Sequence, residues 1–64
     1  MTMDTGKIVK CVRPFVAKDP TTQLELKVDE EFVVLRQERP GWAYVRRRGG
    51  RQEGIIPLSC VREK

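Results

Sequence analysis

Histidine is missing altogether from this 64-residue chain, and no long apolar run is present. Without histidine the commonest general base is gone. Two cysteines far apart, with no imidazole to join them, are too few ligands for a zinc site. No segment approaches the roughly 20 apolar residues that cross a bilayer. Met1 to Gly6 is polar and does not read as a secretion signal. It is expected to be a flexible segment or a cloning remnant, with one folded unit over residues 7–64. No phosphate-cradling glycine loop and no nucleophile–base pair is in sight, and so short a chain cannot enclose a pocket. These absences predict no enzyme, no metal and no cofactor.

Cysteine is scarce too. Cys11 and Cys60 form either one bridge across nearly the whole chain or two free thiols. With no secretion signal, free thiols in a reducing, cytoplasmic setting are the expectation. Cys11 reads as a small core residue. Cys60 reads as a partly exposed thiol open to modification.

Aromatic residues number four: two Phe, one Tyr and one Trp. The only Trp opens the most informative stretch, Gly41 to Pro57. There, β-branched and aromatic side chains flank Gly49-Gly50, which predicts a β-hairpin closed by a tight primed turn. Pro57 cannot donate a ladder hydrogen bond and marks where the second arm stops.

Upstream, Lys7–Val12 reads as a first strand with Val9 and Cys11 on one face. Lys18–Gln23 has the composition of a loop. Leu24, Leu26 and Val28 alternate and are expected to share a face. Asp29-Glu30-Glu31 reads as a turn, since carboxylates without a pocket make no acid–base pair. Phe32–Leu35 is a short buried strand, and Arg36–Gly41 the loop after it. Asp29–Gln37 is the best helical candidate, but its centre is too β-branched. Leu58-Ser59-Cys60 is expected to form a single helical turn before a last short strand at Val61–Glu63. Five short strands with turns between them predict an all-β fold, a small five-stranded barrel of two packed orthogonal sheets. By alternation Val45 and Ala43 face inward, and Trp42 and Tyr44 lie on the other side of the sheet.

The charge balance is +4, from 13 basic and 9 acidic residues. That permits an anionic partner without demanding one. Arg46, Arg47, Arg48 and Arg51 crowd the hairpin turn and form a candidate site for nucleic acid or acidic lipid. Alternation sends Arg47 to the side opposite Arg46 and Arg48, which argues for a solvated hairpin instead.

The order of these pieces resembles a Src-homology-3 (SH3) domain from about Lys7 to Glu63. Cys11-Val12-Arg13-Pro14-Phe15 stands in the place of the family's Ala-Leu-Tyr-Asp-Tyr box. Leu24-Glu25-Leu26 takes the place of its Leu-Ser-Phe strand, and Asp29-Glu30-Glu31 that of its diverging turn. Gly41-Trp42-Ala43 matches the Trp pair with the second Trp lost. Gly54 to Val61 matches the Gly-x-x-Pro and Ser-Asn-Tyr-Val ending. The resemblance implies a core of Val9, Cys11, Leu24, Leu26, Phe32, Val34, Val45, Ile56 and Val61.

It also implies a non-catalytic interaction module of a larger signalling, adaptor or scaffold protein, monomeric and cytoplasmic. Its partner would be a proline-rich or other extended segment, of another protein or of its own parent chain. Such a ligand is stiff before it docks and loses little entropy on binding. Phe15, Trp42 and Pro57 are retained in the implied groove. Arg13 and Cys60 replace two tyrosines, and Ser59 stands where an Asn donates a hydrogen bond. Gln23 stands where an acid reads the ligand's basic residue, leaving Asp19 and Glu38 as nearby acids. The implied groove is therefore partly degraded, with weak or altered specificity, and Arg13 would repel ligand arginines and welcome acids.

Overall fold

A computed structural model of the chain describes residues 5–64. Five strands form one antiparallel sheet: β1 (Ile8–Cys11), β2 (Glu31–Arg39), β3 (Trp42–Arg47), β4 (Glu53–Pro57) and β5 (Val61–Glu63). Their order in the sheet is β4-β3-β2-β1-β5. A single 3-10 turn, Leu58–Cys60, joins β4 to β5, at the place the sequence predicts one. The five-stranded, all-β expectation holds. Of residues 1–6, where a flexible segment is expected, the first four lie outside the described residues. Thr5 and Gly6 are bonded to β2: the Thr5 hydroxyl donates to the Leu35 carbonyl (3.1 Å) and the Gly6 amide to that of Val34 (2.7 Å).

The interior is built from alternate residues of every strand. Val9, Cys11, Leu26, Phe32, Val34, Ala43, Val45, Ile56 and Val61 are buried. Each large one contributes roughly 1.5–3 kcal/mol of transfer free energy. Leu24, expected among them, is only partly buried and packs against this cluster. Cys11 and Cys60 are free thiols. The Cys11 thiol donates to the Arg13 carbonyl at 2.8 Å, and burial pushes its pKa up. That is the core role expected of it.

Four expectations need correction. Leu24–Val28 is not a strand. Leu26 makes one bridge to Phe15 and Gln23 one to Ile55, so this segment is the return arm of a long loop. Val28 turns outward at the start of the next bend and is 52% exposed. Arg36–Gly41 is not a loop, because β2 runs on to Arg39 and turns only at Pro40-Gly41. Cross-strand hydrogen bonds carry it past the end of its apolar run. The hairpin turn is not a primed one. Gly49 alone has a positive φ (77°), and the Gly50 amide donates to the Arg47 carbonyl at 3.0 Å. A positive φ only at the third residue of that turn is the type II pattern.

Gly54 is required for a different reason. A Cβ there would lie 2.9 Å from Leu24 Cγ and 3.0 Å from the Thr22 carbonyl oxygen. The missing side chain lets the long loop lie against β4, where the Ile55 amide donates to the Thr22 carbonyl (2.7 Å) and the Leu24 amide to the Ile55 carbonyl (3.3 Å). The exposed edge of β4 is thereby covered, which protects it from pairing with another chain.

Candidate functional site

Three segments meet to form an aromatic ledge. Trp42 begins β3 and is paired on one side with Arg39 of β2 and on the other with Pro57 of β4. Phe15 comes from the long loop. Backbone bonds of 3.0 Å and 2.8 Å to Leu26 fix its position. Its ring meets the Trp42 ring edge to face, with centroids 6.1 Å apart and planes at 74°. Both rings are half-buried, and Pro57 is buried between strand and 3-10 turn. The Leu58 amide donates to the Gly41 carbonyl (2.8 Å), so the residue after Pro57 is tied to the residue before Trp42.

The rest of the implied groove divides in two. Arg13, Ser59 and Cys60 stand together at the far end. The Cys60 carbonyl accepts from the Val12 amide (2.8 Å) and the Arg13 amide (3.2 Å), while the Arg13 and Ser59 side chains are exposed. The loop residues are turned to their own backbone. Gln23 Oε1 accepts from the amides of Lys18 (2.8 Å) and Asp19 (3.2 Å). Asp19 Oδ1 accepts from the hydroxyl and the amide of Thr21, which hold its carboxyl below the usual range. Glu38 accepts from Arg36 Nε at 3.1 Å.

Two register shifts in β2, between Val34 and Arg36 and between Gln37 and Arg39, decide what flanks the ledge. Strict alternation would send Arg36 inward with Val34. The first bulge reverses that parity at Arg36, and the second reverses it again, so that Arg39 and not Gln37 lies opposite Trp42. Both guanidinium groups therefore stand on the outer face: Arg36 lies 4.3 Å from the Tyr44 ring centroid and Arg39 5.6 Å from that of Trp42. Sequence reading missed Arg39 because a bulge leaves no compositional mark.

Three of the four hairpin arginines are spent on partners within the chain. Arg46 donates twice to Glu53 Oε2, at 3.0 and 2.7 Å, and the Tyr44 hydroxyl donates to Glu53 Oε1 at 2.9 Å. Arg46 and then Tyr44 lower the Glu53 pKa, and the Glu53 carboxylate raises that of Tyr44. Arg48 pairs with Glu31, which also accepts from Lys64 at 2.7 Å. Arg47 points to the inner side, 5.1 Å from the Phe32 ring centroid, and pairs with Glu30. Arg51 alone of the four has no acidic partner among the described residues. The run Arg46–Arg48 is thus a set of ion pairs that tie the hairpin's two arms together and fasten it to β2 and the diverging turn.

A family model for the variant SH3 domain matches residues 8–64. Among solved structures, the C-terminal SH3 domain of myosin IB from Entamoeba histolytica, bound to an EhFP10(GEF) peptide, is 31% identical. That match has a TM-score of 0.79 and covers 97% of this chain and 88% of that one. A second structure of the same domain is 29% identical, with a TM-score of 0.79, over 97% and 98% of the two chains. The SH3 domain of yeast NBP2 shares the fold, with a TM-score of 0.85 at 17% identity over 92% and 98%. Comparison with curated proteins yields no match. The chain belongs to the SH3 family. It is a protein-interaction module of a family that binds peptides and does no catalysis. Among the described residues no helix is long and apolar enough to cross a membrane.

Proposed function

We propose that this domain binds a proline-rich or otherwise extended peptide on the ledge of Phe15 and Trp42, backed by the buried Pro57, with altered specificity. The observation that carries the reading is the edge-to-face contact of Phe15 with Trp42 beside Pro57. Two aromatic walls at an angle, held by separate segments, offer a ligand proline apolar surface to pack against. Ser59 supplies an exposed hydroxyl, and Arg13 and Cys60 line the far end in place of aromatic side chains. With fewer rings to bury, the affinity is weak. The intended partner belongs to another protein or to the parent chain, in a signalling, adaptor or scaffold setting. The two free thiols support a reducing, cytoplasmic one.

The anionic reading ranks second because Arg46, Arg47 and Arg48 already face carboxylates. An NMR titration with a proline-rich peptide library tests the proposal. Shifts of Trp42 Nε1–H and the Phe15 ring support it; shifts confined to residues 48–51 refute it.

A further inference from the structure

We infer that Arg39 is a specificity-determining residue of the ledge, selecting a ligand that carries a carboxylate beside the residue seated on Trp42. This rests on the ledge being the peptide site.

Arg39 and Trp42 face each other across β2 and β3, with the guanidinium carbon 5.6 Å from the indole centroid. The neighbouring basic groups of that face are committed: Arg36 pairs with Glu38, and Arg46 with Glu53. Arg39 is exposed and has no acidic partner among the described residues. A guanidinium held against an aromatic face keeps its edge donors directed outward and loses little freedom when it engages a carboxylate in a fork. In the loop opposite, the two groups placed to read a basic ligand are turned to their own backbone. Gln23 Oε1 and Asp19 Oδ1 are both engaged by backbone amides. At the other end of the ledge, Arg13 is also exposed and without an acidic partner among the described residues. The surface flanking the two rings therefore presents unmatched positive charge at both ends. Its complement is an extended segment that combines an apolar or proline residue with Asp or Glu.

The test scans a proline-rich decamer position by position with Glu, Gln and Lys. Binding is followed by NMR and by the emission of the single Trp. One position is expected at which Glu binds about 3–10 times more tightly than Gln and Lys more weakly. R39Q abolishes that preference and R39E inverts it. Should R39E fail to fold, R39Q decides. The inference is overturned if no position favours Glu, or if the Glu preference survives in R39Q. If no decamer of any charge perturbs Trp42, the ledge is not the peptide site. That outcome overturns the functional reading itself and differs from binding that is indifferent to charge.

Discussion

Phe15 and Trp42 meet edge to face at 6.1 Å, although 27 positions separate them in sequence. One sits on a loop bridged to Leu26, the other on a strand clamped between Arg39 and Pro57. Neither ring belongs to the fully buried interior, which Phe32 and the aliphatic residues fill, although Phe15 packs against it from outside. The proposed peptide ledge rests on these two half-buried aromatic rings.

Truncating either ring should cost binding more than folding. W42A is expected to weaken peptide binding at least tenfold, as central aromatic anchors do. F15A should also weaken it. A double-mutant cycle on the two should give a coupling of about 0.5–1.5 kcal/mol, read by calorimetric titration. Thermal melts of both variants should still show one cooperative transition.

Replacing Gly54 should injure the fold while leaving every ledge side chain in place. In G54A the new methyl meets Leu24 Cγ and the Thr22 carbonyl, and the latter is backbone. Overpacking of this kind costs about 1–3 kcal/mol, a fall in Tm of roughly 5–15 °C for so small a domain. Faster hydrogen exchange at the Ile55 amide would locate the damage, since that amide is bonded to Thr22.

Acid should weaken the domain through its carboxylates. At Glu30, burial raises the pKa, but hydrogen bonds from Arg47 and the Lys27 amide outweigh it and the net direction is down. At Glu31, the hydrogen bonds from Lys64 and Arg48 lower it. Groups with folded pKa values below their unfolded ones add stability above the unfolded values, near 4.3, and lose it as pH falls through the folded values. Tm should be flat from neutral pH down to about 5 and drop below about 4. E30Q should flatten part of that drop. R47M, which keeps apolar contact with Phe32 but strands Glu30, should lower stability at neutral pH by about 1–2 kcal/mol.

The arginine turn should prove a poor anion site. A single-stranded DNA 20-mer should give no gel shift at physiological salt up to about 100 μM protein. Tight binding lost on R51Q would show that the turn's one arginine without an acidic partner among the described residues recruits an anion after all.

The parts of the fold governed by period-two burial were legible in the sequence. Val9 with Cys11, Ala43 with Val45, and the 3-10 turn after Pro57 lie where alternation and proline chemistry put them. What escaped was set by contacts between segments. The extension of β2 through Arg36–Arg39 has no apolar alternation to announce it, and its bulges reverse the parity that alternation assumes. Leu24–Val28 alternates yet pairs at only isolated points, because the loop it belongs to turns back onto β4 over Gly54. The ledge's Trp42, Phe15 and Pro57 could be picked out by type and position, whereas Arg39 could not.

The most direct test of the peptide ledge is a heteronuclear NMR titration of the labelled domain with a proline-rich peptide. Saturable shifts are expected at Trp42 Nε1–H, the Phe15 ring and the Ser59 amide, with residues 48–51 unmoved. Saturable binding that leaves Trp42 and Phe15 unshifted would contradict it.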